Sequence, residues 1–285
     1  MINFTIRNKF IIILFLIFTY FIKNKIKKHI LIQNKQTKNI IIKNKPDINK
    51  LFKNYELVSL GYSCYPALFI KTITKKETNF FDWIGSSSWS ILKLLENNFD
   101  NVLNKQNYYY PNEIFREHNQ KYNITNKEYY LRFIHDGDFL SSENQWNIFR
   151  DKYERRINRF NKLLKSNKNI LFLYLEENSI SRINLISEDI KQYYPQKIEN
   201  YHIEQSKLEQ NKMLDIVNIL KTKYNKYNFK IIYLSSFLDK TKYLNNIIFI
   251  KTDCHYENYD WSIWSNEQCL KSIINNYGFI NNILN

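Results

Sequence analysis

Five short runs of apolar, β-branched or aromatic residues recur along the chain after residue 55. They are ELVSLG (56–61), YYLRFIH (129–135), NILFLYLE (169–176), FKIIYLS (229–235) and NIIFIK (246–251). Each run has the length and composition of a β-strand. Several are almost continuously apolar, which is typical of strands that are buried on both faces. The pattern therefore predicts five strands of an internal sheet.

Helical periodicity separates several of these runs. Residues 206–227 and 266–277 are amphipathic, with Ser265 placed to cap the second, and the serine-rich stretch 85–90 reads as a loop that enters a helix. In residues 143–166 one apolar stripe steps by three or four positions: Trp146, Phe149, Tyr153, Ile157, Phe160 and Leu164. The alternation predicts an α/β domain with a mainly parallel sheet and helices on both faces, a three-layer arrangement of the Rossmann or flavodoxin kind.

The N-terminal part of the chain has a different pattern. After a flank of residues 1–9, residues 10–22 read FIIILFLIFTYFI without a charge. A full membrane span needs about 20 apolar residues, but flanking lysines can extend a shorter one. We expect residues 10–22 to be an uncleaved membrane anchor, 23–54 a polar tether, and 55–285 a single α/β domain. The lysines after the apolar run favour a cytosolic domain. A cleaved signal peptide leading to the secretory pathway is the alternative, although no small-residue cleavage site follows.

The chain carries a formal net charge of +15, which often indicates a nucleic-acid partner. Here the lysines are spread along the chain, with no basic block in the folded region, and accompany a composition rich in Asn, Ile and Tyr. We therefore expect no nucleic-acid partner. Cys64, Cys254 and Cys269 form no CxxC pair, which argues against a disulfide framework or a structural zinc site. No metal and no cofactor are expected.

Reactive residue types follow the predicted strands. In an open parallel sheet the binding crevice lies at the carboxyl ends of the strands, so these residues are predicted to share one rim. They are Gly61, Ser63 and Cys64 after the first strand, His135 and Asp136 after the second, Glu176 after the third, Ser235 after the fourth, and Asp253, Cys254 and His255 after the fifth.

Cys64 is the candidate nucleophile of this rim. Gly61 supplies the backbone freedom that a tight turn needs. A cysteine at the start of the following helix lies near the positive end of the helix dipole, which lowers a thiol pKa and favours the thiolate. The alternative is a structural thiol, because cysteine is among the most frequently buried residue types.

Three further groups are candidates for the same chemistry. His135 is followed by Asp136, which can orient or charge the imidazole, and a Cys–His pair with an acid is the minimum set for thiol acyl transfer. His255 is the rival base. Asp82 lies between two large aromatic residues, Phe81 and Trp83, so its carboxylate must be hydrogen-bonded or take part in chemistry.

The arginines of YERRINRF form a second candidate site. Arg155, Arg156 and Arg159 stand out in a chain that otherwise prefers lysine. Such a cluster can bind a carboxylate or phosphate through bidentate contacts, or pair with Asp82. Alternatively, Arg155 and Arg156 are solvated on the outer face of the helix, which leaves Arg159 as the better candidate.

Four motifs, taken in order, resemble a known family. LVSLGYSCYPAL, NFFDWIGSSSWSIL, RFIHDGDF and YERRINRFNKLLKSNKNILFLYLEE are similar to the family of putative papain-like cysteine peptidases, a domain of otherwise unknown function. The resemblance covers residues 56–180 well and the C-terminal third loosely. It implies Cys64 as nucleophile, His135 as base and Asp136 or Asp82 as the orienting acid. It also implies a papain-like α+β fold as the alternative to the three-layer sheet.

These observations predict a membrane-tethered α/β enzyme that uses Cys64 in hydrolysis or acyl transfer on a peptide-like or ester substrate. Gly61, Ser63, Trp83 and the three arginines would contribute to binding. The alternative is a non-catalytic domain in which Cys64 is structural and the rim, with the arginine cluster, binds an anionic ligand such as a nucleotide-sugar or a glycan phosphate.

Overall fold

A computed structural model describes residues 48–61, 64–110, 124–176, 201–252 and 272–285, with their side chains except those of 201–205. The described strands are β1 (Glu56–Ser59), β2 (Ile84–Gly85), β3 (Tyr108–Tyr109), β4 (Ile124–Asn126), β5 (Leu131–Phe133), β6 (Ile170–Leu175), β7 (Phe229–Ser235), β8 (Lys242–Leu244) and β9 (Ile247–Lys251). The described helices are α1 (Ile48–Phe52), α2 (Tyr65–Ile73), α3 (Ser88–Glu96), α4 (Glu143–Leu164), α5 (Tyr201–Thr222) and α6 (Tyr277–Leu284), with a 3₁₀ turn at Lys105–Asn107.

The larger sheet has the order β1-β6-β7-β9-β8. The first four strands of this order are parallel, and β8 is an antiparallel edge strand. This confirms the predicted mixed α/β class with a mainly parallel sheet. Among the described parallel strands the order β1-β6-β7-β9 advances from β1 without reversing, whereas Rossmann and flavodoxin sheets reverse at a switch point.

Apolar residues of the parallel strands alternate between two cores, one on each face of the larger sheet. On β6, Phe172 and Tyr174 belong to one core, which also contains side chains of α3, α4 and α5. Leu171 and Leu173 belong to the other, which contains side chains of α1, α2 and α6. Because both faces are covered, these strands are continuously apolar in sequence, as their composition predicted.

The smaller sheet is antiparallel, with the order β2-β5-β4-β3. It corrects the expectation that the strand before His135 belongs to the parallel sheet. Residues 127–130 form a turn between β4 and β5, with Tyr130 at φ +51°, and a short turn can join only antiparallel neighbours. The run YYLRFIH predicted a continuous strand because Tyr129 and Tyr130 have strand-like residue types, but both belong to the turn and the strand begins at Leu131. A separate antiparallel sheet is consistent with the papain-like α+β alternative.

The helix predicted over 143–166 is observed as α4, and the one over 206–227 as α5, which begins and ends five residues earlier. Ser87 caps α3 by accepting a hydrogen bond from the Ser90 N–H, so the serine-rich stretch does enter a helix. Of the predicted segment 266–277, residues 272–275 are helical, a turn follows at Asn276, and α6 continues the chain.

Helix α1 falls within the segment expected to be a tether, and its Leu51 and Phe52 are buried in the core that contains α2. No helix within the described ranges is long and apolar enough to cross a membrane. The predicted anchor, residues 10–22, lies outside the described residues.

Candidate active site

The turn after β1 is fixed by contacts with a distant loop. Leu60 continues the parallel ladder by donating its N–H to the Leu173 carbonyl at 2.9 Å. The Gly61 N–H then donates to Ser59 Oγ at 3.0 Å, and the Ser86 hydroxyl donates to the Leu60 carbonyl at 2.9 Å. Gly61 has φ +85°, and a Cβ built there would lie 2.1 Å from Ser86 Oγ. Both the backbone conformation and the close approach therefore require glycine at this position.

Cys64 follows this turn at the start of α2. It is a half-buried thiol with helical dihedrals, φ −74° and ψ −10°, and occupies the N-cap position of the nine-residue helix. Its carbonyl accepts the first helical hydrogen bond, from Leu68 N at 2.9 Å. Pro66 lies in the first turn, where a missing N–H costs nothing. The chain thus brings Cys64 to the positive end of a helix dipole, as the sequence indicated.

The Phe-Asp-Trp motif packs beside this helix. Phe80 and Phe81 are fully buried in the aromatic core, with ring centroids 5.0 Å apart in an edge-to-face arrangement. The Asp82 carboxylate is also buried and accepts the Asn79 N–H at 2.7 Å. Burial raises the Asp82 pKa to about 6, although the Asn79 hydrogen bond and the charges of Arg156 and Arg159 act in the opposite direction.

The three arginines of α4 have different surroundings. Arg159 pairs with Glu77, with 2.8 Å between Nε and Oε2, and donates to the Thr78 carbonyl. Arg156 donates to the backbone carbonyl of Asp82 at 3.4 Å, and its guanidinium lies 4.8 Å from the Tyr153 ring centroid. Arg155 is exposed. Two of the arginines therefore support the loop that carries Asp82, and the third faces solvent.

Trp83 connects this loop to both α2 and His135. Its φ of +69° is rare for a bulky residue and marks a strained backbone. The indole meets the His135 imidazole edge to face, with 5.7 Å between ring centroids. On α2, Lys71 Nζ lies 5.9 Å from the centroid of the indole ring. Trp83 is thus the side chain through which the histidine and the helix bearing Cys64 approach each other.

His135 reaches this region through the smaller sheet. The antiparallel register pairs Ile84 with Phe133, so Asp82 and His135 both extend from the same end of that ladder. Partial burial lowers the His135 pKa, and the neighbouring Lys152 charge acts in the same direction. The Asp136 charge opposes both effects by raising the pKa.

The Asp136 carboxylate has its own hydrogen-bond partners. Its side chain is 3% exposed, forms an ion pair with Lys152, and accepts the Tyr153 hydroxyl at 2.8 Å. These contacts attach the loop after β5 to α4. Asp136 therefore acts on the imidazole of His135 through its charge while its oxygens bind groups of the helix.

An open cleft of about 320 Å³ lies between α2 and the loop that follows it. Of the α2 residues that line it, Ala67 is the first, one helical turn after Cys64 on the same face of the helix. Asp82 and Trp83 line the other side. The full lining is Leu57, Ala67, Ile70, Lys71, Thr74, Lys75, Lys76, Glu77, Thr78, Asn79, Asp82 and Trp83.

A pair of buried glutamates lies at the ends of the central strands. Glu176 directly follows β6, and Glu209 comes from α5; both are at least 95% buried. Glu209 accepts the Ser88 N–H at 3.0 Å and the Tyr174 hydroxyl at 2.8 Å. Burial raises the Glu209 pKa, and the charge of Glu176 raises it further. Glu209 therefore anchors the start of α3 at Ser88, two residues after the serine that holds the Gly61 turn.

Sequence reasoning missed Lys71 and Glu209. The signal for Lys71 was its spacing, because it lies seven residues after Cys64 and hence two turns along the same helix face. Glu209 gave no local signal, since its partners come from β6 and α3. Two predicted site residues, Ser63 and His255, lie outside the described residues, so their part in the site stays a prediction.

Comparison with known families gives one match. Residues 55–193 match the model of the family described as "Putative papain-like cysteine peptidase", which confirms the resemblance carried by the four motifs. The matched segment contains Gly61, Cys64, Asp82 and His135. Neither the curated proteins nor the solved structures provide a match to the chain.

Proposed function

We propose that this protein is a thiol-dependent hydrolase or acyltransferase in which Cys64 is the nucleophile. The observation that carries the proposal is the position of Cys64. It lies at the N-terminus of α2, after the tight turn at Gly61, and one helical turn before the first α2 residue that lines an open cleft. A helix N-terminus favours a thiolate, and the thiolate is the reactive form of cysteine. The family match supports thiol chemistry at the level of the reaction class.

The proposed reaction has two steps. The base takes the proton of the Cys64 thiol, and the resulting thiolate attacks the carbonyl carbon of a peptide-like or ester substrate. An S–C bond forms, the bond from that carbon to the leaving nitrogen or oxygen breaks, and the protonated base gives its proton to the leaving group. First-turn N–H groups of α2 lack carbonyl partners within the helix and stabilise the oxyanion. Water or an acceptor then attacks the thioester carbon and gives its proton to the base, and the thiolate leaves as the S–C bond breaks.

We assign the base to His135. The lowering of its pKa favours the neutral imidazole, the form that can accept a proton. The Trp83 contact holds the ring, and the Asp136 charge stabilises the imidazolium that forms. The Asp82 carboxylate supports the loop by accepting the Asn79 N–H, and this loop places Trp83 beside the cleft. His255 remains the competing base.

The decisive experiment measures thiol reactivity against pH. In a Cys254→Ser, Cys269→Ser background, iodoacetamide alkylation reports on Cys64 alone. We expect a midpoint well below about 8.5, the value of an ordinary cysteine thiol. His135→Ala should move the midpoint upward, whereas His255→Ala should not. A midpoint near that of an ordinary thiol would refute the nucleophile, and a shift only in His255→Ala would transfer the role of base to that residue.

A non-catalytic anion-binding domain is the second candidate function. The lysines that line the cleft favour it, because they offer positive charge to a ligand whether or not Cys64 reacts. An activity-based thiol probe separates the two functions. Labelling of the wild type that is lost in Cys64→Ala supports catalysis, and equal labelling of both supports a structural Cys64.

We also propose that residues 10–22 anchor the domain to a membrane, with the domain on the cytosolic side. The uncharged run and its lysine flanks support this proposal. Alkaline carbonate extraction of cell membranes is the test. The full chain should stay in the membrane pellet and a chain starting at residue 23 should not; release of both would refute the anchor.

A further inference from the structure

The charges of the cleft lining are unbalanced. Three lysines line it, against two carboxylates, Glu77 and Asp82. Glu77 is already paired with Arg159, and Asp82 accepts a backbone N–H. The carboxylates of the cleft are therefore engaged by groups of the protein itself.

The three lysines of the cleft differ in whether a carboxylate of the protein already pairs with them. Lys76 forms an ion pair with Glu56 at 2.6 Å. Within the part of the chain that the structure describes, Lys71 and Lys75 form no ion pair, and both side chains are exposed at the cleft. Two ammonium groups thus face a cleft whose floor is apolar, formed by Leu57, Ala67 and Ile70. Such a site suits a ligand that combines an apolar stem with a negative charge.

We infer that this cleft binds an acidic side chain of the substrate, with Lys71 and Lys75 as its partners. The inference rests on the proposed function for the identity of the ligand as a substrate. Lys71 holds the central position, because it lies on the same helix face as Cys64 and beside the Trp83 indole. Thr74, at the C-terminal end of α2, adds a hydroxyl to the lining.

The geometry of α2 predicts where the acidic residue lies in the substrate. Seven residues separate Cys64 from Lys71, which corresponds to about 10 Å along the helix axis. An extended peptide advances about 3.3 Å per residue, so this distance spans about three residues. The acidic residue should therefore lie about three positions from the bond that Cys64 attacks.

The test uses acetylated, amidated alanine hexapeptides that carry one glutamate at each position in turn, with glutamine peptides as matched controls. Binding is measured by titration calorimetry on the Cys64→Ala chain, so that no turnover occurs. We expect at least one glutamate peptide to bind about tenfold more tightly than its glutamine counterpart. The Lys71→Gln, Lys75→Gln double variant should lose this preference, while Lys76→Gln, whose lysine is held by Glu56, should keep most of it.

Three outcomes would overturn the inference: equal binding of glutamate and glutamine peptides, an unchanged preference in the double variant, or no binding of any peptide. Lys71 also lies in the last turn of α2, where a cation stabilises the helix dipole. That role would alter thermal stability without changing the glutamate preference.

Hydrolysis assays on the wild type separate this inference from the proposed function. Hydrolysis without a glutamate preference would remove the inference and leave the proposed function. A glutamate preference in binding without hydrolysis or acyl transfer would leave the acidic-ligand site of the cleft and refute the proposed function.

Discussion

Gly61 and Ser86 fit against each other so closely that a single added carbon would not be tolerated. The Ser86 hydroxyl, which donates to the Leu60 carbonyl, lies 2.1 Å from the position that a Cβ of residue 61 would occupy. This contact ties the turn before Cys64 to the loop after the Phe-Asp-Trp motif. The two motifs are therefore parts of one local structure, although the contacting residues Gly61 and Ser86 are 25 positions apart in the sequence.

Gly61→Ala should destabilise the protein by about 3 kcal/mol, because it adds a strained positive φ to a steric clash and the loss of the Ser86 hydrogen bond. Gly137→Ala is the matched control: its φ is +68°, but nothing lies within 4 Å of a Cβ there. The control should cost only about 1 kcal/mol. Urea unfolding measures both free energies.

A Ser86→Ala change tests the origin of the difference. Removing the hydroxyl should make Gly61→Ala less costly in the double variant than in the Ser86 wild-type background. Equal costs for Gly61→Ala in both backgrounds would contradict a direct clash with Ser86.

Asp82→Asn should remove a pH dependence of stability. The Asp82 pKa is about 6 in the folded chain and 3.8 ordinarily, so the contribution of this group to the free energy of unfolding is most favourable below about pH 4 and is lost as pH rises through about 6. The difference corresponds to roughly 3 kcal/mol. Asparagine can still accept the Asn79 N–H but does not ionise. The free energy of unfolding, compared at pH 4 and pH 7, should therefore fall less in Asp82→Asn than in the wild type.

Asp239→Asn, at an exposed carboxylate, is the control for this comparison. It should leave the pH dependence of the wild type in place. A pH dependence in Asp82→Asn identical to that of the wild type would show that Asp82 does not titrate in this range.

Arg156→Ala should destabilise the chain by about 1–2 kcal/mol, through loss of the hydrogen bond to the Asp82 carbonyl and of the contact with the Tyr153 ring. It should also raise the Asp82 pKa, because the Arg156 charge lowers it. Thermal unfolding and an NMR titration of the Asp82 carboxyl measure the two effects. Arg155→Ala, on the exposed face of the same helix, should change neither; a comparable effect there would contradict the assignment.

Glu209→Gln should stabilise the protein at pH 8 by about 1 kcal/mol, because the amide removes the cost of burying an ionised carboxylate. Its oxygen can still accept from Ser88 and Tyr174. Burial raises the Glu209 pKa, so the penalty is absent at low pH and grows as pH rises above the ordinary value for glutamate. The gain should therefore shrink toward pH 4 in urea unfolding experiments.

Glu209→Ala tests the hydrogen bonds of the same side chain. It should cost about 2–4 kcal/mol at all pH values, because the Ser88 N–H and the Tyr174 hydroxyl lose their acceptor and a cavity forms. A Glu209→Gln variant as unstable as Glu209→Ala would show that the charge itself is needed.

Much of the local structure was predictable from short-range pattern. The apolar spacing of α4 gave its position to within two residues, and the serine-rich stretch gave the start of α3. Gly61, next to a strand and before a helix, marked the turn that seats Cys64. These features depend on neighbours within one or two turns of the chain, so periodicity and residue type carry them.

The sequence by itself thus determined the parallel strands β1, β6, β7 and β9, the long helix α4 and the turn before Cys64. Only the tertiary structure decided that β5 pairs with β2 and β4, that Arg156 supports the Asp82 loop, and that Glu209 reaches Ser88. Strand partners and buried charge pairs depend on contacts between distant segments, which the periodicity of one segment does not record. The same reason explains why Cys64 was visible in the sequence, whereas the lysine-lined cleft beside it emerged only when α2 packed against the Phe-Asp-Trp loop.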